Sequence, residues 1–291
     1  MKYYTAITNA YFQLPPNKSG EHFICYHDGT VEEQEGWELR EIKYAHDDPV
    51  RLSRHPKILC PIEGKSVYID ASKLHTIISA RHSSVNFFEL SENILRDHDF
   101  FLMQHPHKYY YLEECAEYIH RGFMNPYEII NFTKEIKQET EFDFANFFSP
   151  LGTVLWRNSE AWIPNMLWWK WYMRGGKRDQ VSLSVALQTS GVKYGWDECR
   201  HCVSWWSDAE PDGKWWKNKG GRYGKKRVDP TDTVEQLAKI TGLSMQMRYR
   251  AAIMKETGDW LFGDRSGSVS YTHLRAHETE ADLVCRLLLE K

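Results

Sequence analysis

The chain has 291 residues, 42% apolar and 26% charged, so it can bury a sizeable core beneath an ordinary water-facing surface. Lys and Arg number 37 against 40 Asp and Glu, a net charge of −3, which argues against a generally cationic nucleic-acid binder. No apolar run of about 18 residues offers a membrane span, and Met1-Lys2-Tyr3-Tyr4-Thr5 opens no signal segment, so a cytoplasmic protein is expected.

Residues 2–8 are rich in β-formers and predict a first strand, and Leu14-Pro15-Pro16-Asn17 then breaks the chain. His22 to Tyr26 predicts a second strand that runs into His27-Asp28-Gly29, and Trp37 to Tyr44 a third. Asp48-Pro49 starts a new element carrying Arg51, Arg54 and Lys57. Ser66-Val67-Tyr68-Ile69-Asp70 is a buried-type strand that ends on a carboxylate. Apolar residues at helical spacing predict a helix over 109–121 and another from Tyr127 to Glu139. Gly152 to Arg157 predicts a strand, and Val181 to Leu187 a helix entered at Asp179-Gln180. Strands mixed with helices indicate an α/β layered domain, in which ligands bind beyond the C-terminal ends of strands. Asp28 and Asp70 both stand at such ends.

This domain is expected over 1–205. Residues 206–229 hold the basic, Gly-rich and aromatic stretch Lys214 to Arg227, read as a linker or loop. Residues 230–267 are read as a truncated helical segment, with a helix start at Asp229-Pro230-Thr231-Asp232, and as the expected beginning of a second module. Residues 268–291 resemble a translated sequencing adapter from a short metagenomic fragment, so 1–267 is expected to be the natural part, with the true C-terminus missing.

Asp70 is the most informative residue for chemistry. A diphosphate leaving group needs a divalent cation, hard cations take carboxylate oxygens, and a strand end holds a carboxylate rigidly. Here the motif is Asp70-Ala71-Ser72, with a hydroxyl where a second carboxylate is usual; a turn or helix-capping Asp is the competing reading. Two Arg and one Lys in Arg51 to Lys57 can clamp a diphosphate, or simply form a solvated helix face. Asp179 and Gln180 can meet sugar hydroxyls, or Asp179 can only cap its helix. Glu113-Glu114 read as a solvated helix face, and Trp162, Trp168, Trp169 and Trp171 as core. Cys199, His201 and Cys202 form half of a zinc-site spacing with no second pair nearby.

In order along residues 3–190, these pieces resemble the glycosyltransferase-like family catalogued as domain of unknown function 616. They are Tyr4-Thr5-Ala6-Ile7, Phe23 to Asp28, Trp37 to Arg40, Asp48 to Arg51, Ser53 to Leu59, Tyr68 to Ser72 and His105-Pro106-His107-Lys108, followed by Tyr111 to Cys115, Gly152 to Arg157 and Arg178 to Ser182. The resemblance implies an A-type glycosyltransferase fold, a Rossmann-like mixed sheet flanked by helices. It also implies a nucleotide-sugar donor, a glycan or other acceptor, and Mn²⁺ or Mg²⁺. On this expectation Tyr4 and Asp28 line the nucleotide pocket, Arg54 and Lys57 contact the diphosphate, and His105 faces substrate. Asp70 and Ser72 hold the metal, and Asp179 and Gln180 act at the donor sugar. The chain departs from the family at Ser72, at His27 where a Thr is usual, and at Asn9-Ala10 where Gly-Gly is usual. A catalytically inactive nucleotide- or glycan-binding module is the alternative.

Overall fold

The computed structural model describes residues 1–79, 86–104, 110–120, 122–176, 178–197 and 229–243. The expectations for His105, for the Cys199–Cys202 pair, for the 214–227 basic stretch and for 268–291 lie outside these residues.

Strands β1 (Lys2–Ile7), β2 (Phe23–His27), β3 (Trp37–Glu41), β4 (Ser66–Ile69), β5 (Phe100–Gln104), β6 (Pro150–Arg157) and β7 (Tyr194–Asp197) form one sheet. Their order is β3-β2-β1-β4-β6-β5-β7. Strand β6 runs antiparallel to both neighbours, β4 and β5, and the other pairings are parallel. The helices are α1 (Pro49–Leu59), α2 (Ala71–Ser79), α3 (Phe87–Asp97), α4 (Tyr111–His120), α5 (Pro126–Glu139), α6 (Trp162–Arg174), α7 (Gln180–Ser190) and α8 (Thr231–Thr241). This is the expected α/β class, a mixed sheet flanked by helices. No helix among the described residues is long and apolar enough to cross a membrane.

Successive side chains of a strand point to opposite faces, and both faces of this sheet are covered. Tyr3 and Ile7 of β1 pack with Val67, Ile69 and Trp156 against Leu74 and Ile77 of α2 and Phe87 and Leu95 of α3. Tyr4 and Ala6 pack on the other side with Tyr68 and Leu155 against Ile58 of α1, Trp168 and Tyr172 of α6, and Leu183 of α7. A third cluster joins α4, α5 and α7 to Val234, Leu237 and Ala238 of α8. Helix α8 is thus packed on α4, α5 and α7.

Several elements escape a periodicity reading. Helix α6 carries apolar residues around most of its circumference, so it shows no stripe; Trp168 and Trp171 are buried, while Trp162 is 62% exposed. Helices α2 and α3 and the edge strand β7 are short, and strand β3 stops at Glu41, three residues before the expected end.

The turn after β1 places Asn9 and Ala10 consecutively in the left-handed region, at φ 55° and 44°. Asn tolerates this conformation, but an alanine Cβ costs roughly 1–2 kcal/mol there. Ala10→Gly is expected to stabilise the fold by about 0.5–1 kcal/mol, the relief of strain less the added freedom of glycine when unfolded. Urea unfolding measures it, and a destabilised variant would show that the turn is not strained.

Candidate functional site

The site begins with α1. Asp48 precedes the helix and accepts a hydrogen bond from the Val50 amide, and Pro49 occupies its first turn, where a missing N–H costs nothing. At the other end the fully buried Arg157 of β6 donates to the carbonyls of Lys57 and Ile58, to Asn165 Oδ1 and to the Tyr4 hydroxyl. A cation at a helix C-terminus is favoured by the aligned peptide dipoles. Helix α1 is thereby fixed at both ends, and Arg54 and Lys57, three residues apart, project together from one face.

Both meet Asp179, the residue preceding α7. Lys57 Nζ lies 2.5 Å from Asp179 Oδ2, and Arg54 Nε lies 3.2 Å from the same oxygen. The Lys57 and Asp179 side chains are 3% and 6% exposed, and Arg54 is 21% exposed. The Tyr68 and Trp168 rings stand 5.4 and 5.8 Å from the Lys57 ammonium, which adds cation–π attraction in a desolvated setting. Gly152 of β6 leaves the room: a Cβ there would sit 2.8 Å from Lys57 Nζ. The carboxylate of Asp179 makes no cap bond to its own helix, so it serves the cations rather than α7.

These groups shift one another. Burial pushes the Lys57 ammonium down to about 8, helped by Arg54 and opposed by Asp179. Burial raises the Asp179 carboxyl, but Lys57 and then Arg54 outweigh it and hold the group at about 2. Arg54 is held above its ordinary value, because Asp179 outweighs the effect of burial. Asp70 feels the same cluster. Burial raises its carboxyl, but Arg54 first and then Lys57 and Ser72 bring it below the ordinary carboxylate range.

A carboxyl depressed from 3.8 to about 2 stabilises the fold above about pH 4, and that stability is lost as pH falls toward 2. Unfolding free energy measured from pH 5 to 2 is expected to fall more steeply in the natural protein than in Asp179→Asn. Equal slopes would mean that the ion pair is not formed in solution.

Asp70 follows β4 and turns the chain into α2. Its amide donates to Thr153 O, and its Oδ1 accepts from the amide and the hydroxyl of Ser72, at 3.1 and 2.7 Å. The helix-capping reading of Asp70 is therefore realised. The residues expected to hold Mn²⁺ or Mg²⁺, Asp70 and Ser72, are bonded to each other through Asp70 Oδ1. The Ser72 hydroxyl points its proton at the carboxylate, and two cations face the same aspartate. Among the described residues no group of three or more His, Cys, Asp or Glu could hold a metal.

The remaining expected residues separate. Tyr4 is fully buried, with its hydroxyl on Arg157; it belongs to the core instead of lining a nucleotide pocket, because α1, α6 and α7 cover that face of β1. Asp28 stands at the C-terminal end of β2, where its Oδ2 accepts from the Asn9 amide at 2.7 Å and its Oδ1 from the Thr30 hydroxyl at 2.5 Å. It ties together the loops after β1 and β2, beside a small depression lined by Ala10, Phe12, Thr30 and Val31. Gln180 is half-buried and accepts from Arg178 Nε at 2.9 Å. Arg178 also pairs with Glu114 at 3.3 Å and Glu117 at 3.8 Å. Glu113 and Glu114 are thus buried, contrary to the solvated face expected of them: this side of α4 turns inward toward the start of α7. Sequence reasoning missed Arg157 and Gly152 as parts of the site, although a glycine inside a strand signals close approach.

No protein-family model and no curated protein matches the chain. Among solved structures, mouse xyloside xylosyltransferase 1 in its apo form is similar over 68% of this chain and 86% of that one, at 10% identity and a TM-score of 0.36.

Proposed function

We propose that the chain is a glycosyltransferase that moves a sugar from a nucleotide-sugar donor to a glycan or other acceptor, with Arg54 and Lys57 directed at the donor's diphosphate. One observation supports this reading most. Residues named from sequence for a single chemistry, Arg54, Lys57, Asp70 and Asp179, come from three separate segments and share one electrostatic cluster at the C-terminal end of β4. In such a transfer the bond from the anomeric carbon to the terminal phosphate oxygen breaks, and that oxygen keeps the electron pair. A fixed guanidinium and ammonium lower the energy of the charge that develops there. Arg54, the more exposed of the two, meets the diphosphate first. Asp179 and Gln180 lie next in line for the donor sugar.

A second reading, an inactive module that binds a nucleotide or a glycan, is favoured by the Asp179 carboxylate being occupied by both cations. Arg54→Ala is expected to weaken nucleoside-diphosphate binding by roughly 1.5–3 kcal/mol, the range for a hydrogen bond to a charged group, and to leave nucleoside binding unchanged. Equal loss for both ligands would assign Arg54 to the fold. Release of sugar from a panel of nucleotide sugars separates the enzyme from the binding module.

A further inference from the structure

We infer that the Tyr172 hydroxyl is a further contact for the donor, donating a hydrogen bond to a diphosphate oxygen held beside it by Arg54. The inference rests on the reading of the site as one for a donor diphosphate. Helices α1 and α6 lie side by side and run in opposite directions. Lys57 meets the Trp168 ring, His55 meets Trp169, and Arg51 meets Tyr172 and Met173. Arg54 comes between these contacts, and Tyr172, one helical turn beyond Trp168, lies opposite the stretch of α1 from Arg51 to Arg54.

The Tyr172 side chain is fully buried, and its hydroxyl makes no hydrogen bond among the described residues. Other enclosed phenols are served: Tyr4 by Arg157, Tyr111 by Thr133 and Tyr118 by the Val181 amide. Burial pushes the Tyr172 hydroxyl above its ordinary value, so it keeps its proton and is able to donate. Of the charges that act on it Arg54 comes first, followed by Asp179, Arg51 and Asp48, two cations and two carboxylates that balance. The hydroxyl therefore lacks an acceptor, not a counter-charge. A phenylalanine would fill the same space without an unmet polar group, and a buried donor with no acceptor destabilises a fold. The phenol oxygen thus adds nothing to the packing of the unliganded protein. It gains a partner when an ionised phosphate oxygen, which only accepts, is drawn to the Arg54 guanidinium.

The test compares Tyr172→Phe with the natural protein in two measurements. Calorimetric titration with UDP, GDP, ADP and CDP, once in EDTA and once with Mn²⁺, is expected to show at least one nucleotide whose Kd rises about tenfold in the variant, with nucleoside binding unchanged. Thermal unfolding without nucleotide is expected to move the other way, the variant melting about 2–4 °C higher. The opposite signs separate a ligand contact from a structural hydroxyl, whose loss lowers both affinity and stability. A variant that binds every diphosphate within twofold of the natural protein would overturn the inference and leave the diphosphate site standing. A variant that melts lower would show that the hydroxyl has a partner in the unliganded protein, and would overturn the inference as well. No binding of any of the four to the natural protein, in either medium, would overturn the diphosphate reading and the inference with it.

Discussion

Lys57→Met is expected to lower the melting temperature by roughly 6–12 °C, and adding Asp179→Leu is expected to recover most of that loss. The ammonium and the carboxylate are both almost completely enclosed and lie 2.5 Å apart. Removing one member of a buried pair leaves the other charge without compensation, typically at about 3–5 kcal/mol. Arg54 still reaches Asp179 Oδ2 at 3.2 Å, which places the change at the lower end, about 3 kcal/mol. At this chain size each kcal/mol moves the midpoint by roughly 2–4 °C. Methionine keeps most of the apolar stem between Tyr68 and Trp168, so the effect reports charge rather than a cavity. In the double variant the Lys57 and Asp179 positions are both apolar, an exchange that is often neutral, and Arg54, which also loses Asp179, keeps Asp70 as a nearby countercharge and is partly open to water. A single variant within 2 °C of the natural protein would show that water reaches the pair in solution. A double variant no more stable than the single one would show that packing, not charge, was lost.

Arg157→Met is expected to cost about 4 kcal/mol, or roughly 8–16 °C in melting temperature. The Arg157 guanidinium is fully buried and holds four acceptors: two terminal carbonyls of α1, Asn165 and the Tyr4 hydroxyl. Its loss leaves these groups buried with fewer partners, and each orphaned group costs about 1–3 kcal/mol. It also removes the positive charge that complements the helix end. Thermal unfolding measures the change, and a shift under 3 °C would mean that water takes the place of the guanidinium. Part of the effect is expected to appear in nucleotide affinity, because the Lys57 carbonyl is one of the acceptors.

The strands of the parallel half were legible because β-branched and aromatic runs bounded by Pro, Gly and Asp leave few alternatives. Helices α4 and α5 were legible from apolar spacing, and α5 also carries a capping box at Asn125 and Glu128. The charged members of the site were legible as residue types, because a diphosphate and a sugar call for Arg, Lys and Asp. Their pairing was not, since Lys57 and Asp179 are 122 positions apart and nothing local connects them. Tyr4 went astray for a related reason. A strand tyrosine looks the same in sequence whether its face meets a crevice or a helix, and here α1, α6 and α7 decide it. Arg157 reads as the polar end of a strand until the helix terminus beside it is known.

Arg157 also bears on how this site can respond to a ligand. The Lys57 backbone is clamped by the guanidinium, and the Asp179 carbonyl is held by the Trp168 indole at 3.0 Å, the Ser182 hydroxyl and the Leu183 amide. Neither main chain is placed to hinge. An anion entering beside Arg54 can part the pair only by turning side chains, two torsions for the aspartate and four for the lysine. Such turns leave the sheet and α1 unchanged, so the free and loaded forms should superpose closely. The barrier to entry is then set by rotamer exchange inside a packed wall, not by the travel of a lid.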